Sequence, residues 1–194
     1  QYSDTPLGDL LREAGRGRIG VDRAFVQAIL DRGPEAAAEL AAYGLEQPEE
    51  DRIDLTVDLF HILRALRHPA AIPFLIDLLH QDDGEAPDHI YEALGELGEA
   101  AVEPLLELRE KAEGETRANM EFLLAGLGVK DSRIQQILLE RLETDPADAA
   151  INLSLYGDKE LIPAMAARIE KMGEDEEDAK RELEYSMRNL EAPV

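Results

Sequence analysis

Two Asp-x-x-His pairs are the residues of this sequence whose types and spacing come nearest to a metal site. Asp58 precedes His61 by three positions, and Asp77 precedes His80 by the same interval. On a helix this spacing puts a carboxylate and an imidazole one turn apart, as in some metal-binding bundles. A site needs all four groups to converge, whereas we expect His61 on the solvent side of its helix and His80 at a helix end. Two separate surface pairs are therefore the favoured interpretation, and a metal site is the alternative.

Residues for covalent or acid–base catalysis are few. The chain has no cysteine, which excludes disulfides, thiolate metal sites and thiol nucleophiles. Its serines and four histidines show no nucleophile elbow, phosphate loop or triad-like spacing. Its many carboxylates are more simply explained as a solvated surface than as catalytic pairs. We therefore expect no catalytic residue and no cofactor.

The composition indicates a folded, acidic, helical protein. Of its 194 residues 44% are hydrophobic and 5% aromatic, and Ala, Leu and Glu dominate, which favours helices. The net charge of −23 repels phosphate backbones, so we expect no nucleic-acid partner. Residues 49–113 hold 17 acids and 5 bases, whereas residues 114–173 hold 10 and 7. General solubility explains such a surface, and selection for a basic partner is the alternative.

The sequence gives little information on localisation. No apolar run approaches the ~18 residues needed to cross a bilayer, so we expect no membrane insertion. The cytoplasm is the default location. The chain begins with Gln1 in place of Met, which indicates a trimmed N-terminus, and a lost export signal is compatible with it. The oligomeric state is left open.

Apolar residues recur with a helical period, and that pattern itself recurs along the chain. Leu59, Ile62, Leu63 and Leu66 follow the i, i+3, i+4, i+7 spacing of one buried helix face. The third position of this stripe, Leu63, has counterparts at residues 94, 124 and 153, in steps of 31, 30 and 29 residues. The later members of this A series are Ile90, Ala93, Leu94 and Leu97; Met120, Leu123, Leu124 and Leu127; and Ala149, Asn152, Leu153 and Tyr156.

A second series of stripes, the B series, lies between the A stripes and keeps in phase with them. Its members are Ile72, Leu75, Ile76 and Leu79; Val102, Leu105, Leu106 and Arg109; Ile134, Ile137, Leu138 and Arg141; and Ile162, Met165, Ala166 and Ile169. An earlier, weaker hairpin fits the same scheme. Its two stripes are Val26, Ile29 and Leu30, then Ala37, Leu40 and Ala41. The repeating unit is therefore a helical hairpin, and the sequence predicts an all-α protein of about five hairpins.

Turn signals mark where the helices end. Gly98, Gly128 and Gly157 each follow an A stripe by one residue, where left-handed backbone commonly ends a helix. In the second hairpin Arg67 and His68 hold that place. We predict an N-terminal extension with a partial helix over residues 1–21, a repeat array over 22–173 and a C-terminal capping helix over 174–194.

Asn152 departs from the apolar pattern of its column, which elsewhere holds Ile62, Ala93 and Leu123. A buried amide requires hydrogen-bond partners. The favoured interpretation is a hydrogen bond to loop backbone, and the alternative is a notch that admits a ligand.

Two short motifs carry a family resemblance. One helix closes with A-L-x-x-L-G at residues 93–98, and the next opens with A-[IV]-x-P-L-L-x-L at residues 101–108. Residues 71–79 and 161–163 match the second motif. Over residues 22–173 the chain resembles HEAT-like repeats, particularly the short bacterial phycobilisome-lyase type, although the arginine that this family often carries early in helix A occurs only at Arg117. The resemblance implies a right-handed α-solenoid of the armadillo type that binds proteins on its concave side.

In such an array the exposed positions of the B helices form the contact surface. They are acidic in the centre of the array, which suits a basic protein partner. The candidate binding residues are Asp77, Gln81, Glu103, Glu107, Glu110, Gln135, Gln136, Glu140 and Arg168. We predict a non-enzymatic interaction scaffold. The alternative, from the same resemblance, is an enzyme or enzyme-accessory subunit of the bilin-lyase type, which a deep pocket or a bound chromophore would indicate.

Overall fold

A computed structural model describes residues 2–46, 52–81 and 88–192, without the side chains of 52–57, 79–81 and 88. Within these residues the chain forms twelve α-helices and no β-strand, which confirms the predicted all-α class. The helices are α1 Leu7–Gly15, α2 Arg23–Leu30, α3 Ala36–Glu46, α4 Arg52–Leu66, α5 Ile72–Gln81, α6 Asp88–Gly95, α7 Val102–Lys111, α8 Gly114–Gly126, α9 Ser132–Thr144, α10 Pro146–Tyr156, α11 Ile162–Ile169 and α12 Glu177–Glu191. None of these helices is both long and apolar enough to cross a bilayer.

The chain divides into two compact units, Gln1–Ala100 and Ala101–Val194. In the first unit α3 packs against α1, α4 and α5, while α2 packs against α4 and α5 against α6. The approach of α3 to α5 is close. A Cβ atom at Gly44 would lie 2.4 Å from a ring carbon of Phe74, so only glycine fits at this contact.

In the second unit most helices pack against a sequence neighbour, and several also pack against the next helix but one. α8 contacts α7, α9 and α10, and α10 also contacts α9 and α12. α11 contacts α9 and α12. The two helices of this unit that carry A stripes, α8 and α10, therefore pack together, α12 packs on α10, and α9 packs on α11.

The cores of both units are built from the stripes that the sequence predicts. The central apolar columns of α4, α6, α8 and α10 are buried, including Leu63, Leu94, Leu124 and Leu153. In α2 the stripe is rotated by one residue, since Phe25, Ala28 and Ile29 are the buried side chains. The rotation buries the phenyl ring of Phe25, which removes more apolar area from water than Val26 could.

The helix ends also follow the turn signals. Gly98, Gly128 and Gly157 have φ values of 54°, 67° and 67°, in the left-handed region. Arg67 holds the same place after α4 with a φ of 50°, which is costly for a residue with a Cβ atom. At the start of α10 the Asp145 side chain accepts a hydrogen bond from the Asp148 N–H, and Pro146 occupies the first turn.

Candidate functional site

The first candidates are the two Asp-x-x-His pairs. On α4, Asp58 is half-buried and His61 is exposed. The His61 ring packs edge-on against the Phe60 ring, with their centroids 5.3 Å apart, and the His89 ring packs against Phe60 at 4.9 Å. Among the described side chains, no three His, Asp or Glu residues are grouped so that they could hold a metal ion. The side chain of His80 lies outside the described residues.

Five of the predicted contact residues do come together, in a groove between α7 and α9. We call this cavity of about 260 Å³ the α7–α9 groove. Its predicted members are Glu103, Glu107, Glu110, Gln136 and Glu140. Its other lining residues are Leu106, Arg109, Arg133 and Ile137.

One end of the α7–α9 groove is bridged by an exposed ion pair. A terminal amino group of Arg133 donates to Glu103 Oε2 at 2.7 Å, which links the beginning of α9 to the beginning of α7. The other side of the same guanidinium is held by Asp131, whose Oδ2 lies 2.9 Å from Nη2. Hydrogen bonds to Asp131 and Glu103 raise the pKa of Arg133 above its usual value. Both ends of this bridge are in contact with water, with exposed side-chain fractions of 51% and 65%.

Behind the groove lies a buried ion network centred on Glu121 of α8, which is only 2% exposed. Arg109 Nε of α7 donates to Glu121 Oε1 at 2.9 Å, and Arg141 Nε of α9 donates to Oε2 at 2.8 Å. A second nitrogen of each guanidinium lies 2.8 Å and 2.7 Å from the same oxygens. Arg117 approaches Oε1 at 3.6 Å from the preceding turn of α8. One carboxylate therefore ties three helices together.

The Glu103–Arg133 pair and the Glu121 network together show the relative direction of α7 and α9. The Glu103–Arg133 pair joins the N-terminal ends of α7 and α9, and Arg109 and Arg141 meet at Glu121 nearer their C-terminal ends. The two helices therefore run in the same direction along the groove.

The same ion pairs determine the net charge of the α7–α9 groove. Arg109 is neutralised by Glu121 and Arg133 by Asp131 and Glu103. No described cation lies within 4.0 Å of Glu107, Glu110 or Glu140. The carboxylate of Glu140 accepts a hydrogen bond from the neutral Gln136 Nε2 at 3.0 Å. Three carboxylates with no cation nearby in the described part of the chain thus line a groove whose apolar part is Leu106 and Ile137.

The other predicted contact residues lie outside this groove. Gln135 is half-buried and donates to Asp158 at 2.9 Å. Arg168 is only 11% exposed and pairs with Glu176, which leaves little of it for a partner. Asp77 belongs to the first unit and is half-buried. The side chain of Gln81 lies outside the described residues.

Sequence reasoning did not identify Glu121, Arg109 or Arg133 as parts of this site. The sequence did contain a signal for Arg109 and Glu121. Arg109 and Arg141 occupy a column of the B stripes that is apolar in the other hairpins. A cation in a buried column requires a buried anion. Glu121 follows the buried Met120 on the intervening helix and is that anion. Arg133 gave no such signal, since it lies on the exposed face of α9.

No protein-family model, curated protein or solved structure matches this chain.

Asn152 of α10 is 1% exposed, and neither atom of its amide group has a hydrogen-bond partner among the described residues. The expected hydrogen bond to loop backbone is therefore not formed there. One turn earlier, Asp148 Oδ2 is also buried without a hydrogen bond and lies 3.6 Å from Arg141 Nε. Burial raises the pKa of Asp148, and Arg141 opposes this increase. α10 therefore buries both amide atoms of Asn152 and one carboxylate oxygen of Asp148 without a hydrogen bond from the described residues.

Glu121→Leu should destabilise the protein strongly. The change leaves Arg109 and Arg141 largely buried without their anion, so we expect a loss of about 3–5 kcal/mol in the free energy of unfolding. Urea unfolding followed by circular dichroism measures this loss. Glu103→Gln breaks only the exposed pair and should leave the unfolding midpoint nearly unchanged. Adding Arg109→Met and Arg141→Met to Glu121→Leu should recover most of the loss. Equal, small effects of Glu121→Leu and Glu103→Gln would contradict the assigned role of Glu121.

Asn152→Leu should raise the melting temperature. Leucine has the same branched arrangement of heavy atoms as asparagine, and it removes two buried polar atoms that lack partners. A gain of about 1–2 kcal/mol corresponds to a rise of several degrees for a chain of this length, measurable by differential scanning calorimetry. Asn152→Asp, which buries a charge at the same position, should lower the melting temperature. A lower melting temperature for the Asn152→Leu variant would indicate that the amide has a bound partner, such as a ligand or water.

Proposed function

We propose that this protein is a non-enzymatic interaction scaffold of HEAT-like hairpins, and that its α7–α9 groove binds an exposed basic segment of a partner protein. The observation that carries the proposal is the groove itself, in which Glu107, Glu110 and Glu140 have no cation within 4.0 Å among the described residues. A cationic side chain placed there would complete the ion pairs that the chain leaves open.

The packing order within the units supports the repeat part of this proposal. In the second unit α8, α10 and α12 pack in succession while α9 packs on α11, and in the first unit α1, α3 and α5 pack in succession while α2 packs on α4. Contacts between next-but-one helices are typical of stacked two-helix repeats, in which each repeat touches only its neighbours. The two sequence motifs at residues 93–98 and 101–108 support the HEAT-like assignment.

The size and lining of the groove favour a protein segment over a buried chromophore. Its volume of about 260 Å³ is below the roughly 300–1,000 Å³ of most small-molecule sites. Leu106 and Ile137 offer apolar contact for the methylene part of a long cationic side chain, and carboxylates from both helices surround its charged end. Arginine suits this site best, because its planar guanidinium can pair with carboxylates on both walls.

The proposal is tested with an oligo-arginine peptide and isothermal titration calorimetry at low ionic strength. Glu107→Gln/Glu140→Gln removes one open carboxylate from each wall and should weaken binding by about fivefold or more. The matched control is Glu115→Gln/Glu182→Gln, since these exposed acids lie in the same unit outside the groove. It makes the same change in net charge and should bind nearly as the unchanged protein does. Equal weakening by both variants would show that the peptide follows overall charge and would overturn the proposal.

A further inference from the structure

The Glu103–Arg133 pair places a cation of this chain on a carboxylate of the proposed binding groove. The pair crosses from α9 to α7 at 2.7 Å, and both residues line the cavity. Arg133 therefore makes, with one carboxylate of the groove, the kind of ion pair that an arginine of a partner would make. On this basis, and given the proposed function, we propose that Arg133 is an internal competitor that a bound basic segment displaces from Glu103.

The geometry around Arg133 makes this displacement easy. Only one of its terminal nitrogens reaches Glu103, whereas Nε and the other terminal nitrogen face Asp131 at 3.2 Å and 2.9 Å. Asp131 is itself fixed, because its Oδ1 accepts the backbone N–H of Arg133 at 2.8 Å at the start of α9. When Arg133 releases Glu103 it therefore remains paired, and no unpaired cation is left at the groove.

Arg109, the other arginine of the groove, cannot act in the same way. Its side chain is 12% exposed and its guanidinium is bound to the buried Glu121, so leaving that carboxylate would strand a buried charge. The Arg133 pair is exposed to water on both sides, where ion pairs are weak and exchange readily. The groove thus has one fixed arginine, which shapes its wall, and one exchangeable arginine, which competes with the ligand.

The experiment uses the full chain, the oligo-arginine peptide and calorimetry. Arg133→Gln frees Glu103 and should tighten binding by about twofold to fivefold, as expected for the loss of one exposed competing pair. Arg181→Gln is the matched control, because Arg181 also forms an exposed ion pair, with Asp178 on α12, and carries the same charge. It should leave the affinity nearly unchanged. Adding Glu103→Gln to Arg133→Gln should cancel the gain, since the freed carboxylate is then absent.

The outcomes test the competitor role of Arg133 and the proposed binding function separately. Tighter binding by Arg133→Gln alone, cancelled in the double variant, supports the competitor role. Equal changes in the Arg133 and Arg181 variants, or no change in either, overturn that role, while the proposed function stands if Glu107→Gln/Glu140→Gln still weakens binding. Absence of peptide binding by the unchanged protein overturns both. Thermal unfolding of every variant confirms that it is folded at the temperature of the titration.

Discussion

The second unit depends on one buried carboxylate. Glu121 is surrounded by protein, and each of its oxygens accepts hydrogen bonds from one arginine, Arg109 on α7 or Arg141 on α9. Burial lowers the pKa of Arg141, but hydrogen bonding and attraction to Glu121 raise it overall. A buried ion network of this kind gives little net stability compared with apolar packing, yet it is costly to break. It therefore fixes the spacing and direction of three helices that apolar contacts alone would hold less specifically.

The same carboxylate determines the electrostatics of the groove in front of it. Glu121 pairs with Arg109 on the buried side of the groove wall, and no glutamate that lines the α7–α9 groove lies within 4.0 Å of the Arg109 guanidinium among the described residues. Because Glu121 engages Arg109, and Asp131 and Glu103 engage Arg133, the remaining glutamates give the groove a net negative charge. The interaction that joins the helices therefore also engages Arg109, and Glu107, Glu110 and Glu140 have no cation within 4.0 Å among the described residues.

Much of the fold could be predicted from apolar periodicity, because each buried stripe reports one helix face. The columns through Leu63, Leu94, Leu124 and Leu153 are buried as predicted, and the glycines after them are left-handed. The candidate site was predicted only in part. Exposed glutamates on B helices could be identified by their place in the repeat, but pairing between distant residues could not. Arg168 illustrates the limit, since its pairing with Glu176 across a turn is invisible to periodicity.

The central claim is that an exposed basic segment binds in the α7–α9 groove. The most direct test is a ¹⁵N–¹H NMR titration of the full chain with an oligo-arginine peptide, because it locates the contact residue by residue. The account predicts that the largest chemical-shift changes fall within residues 103–110 and 133–140 and saturate together. Small changes spread over the acidic surface of both units, with no maximum in these two segments, would contradict it.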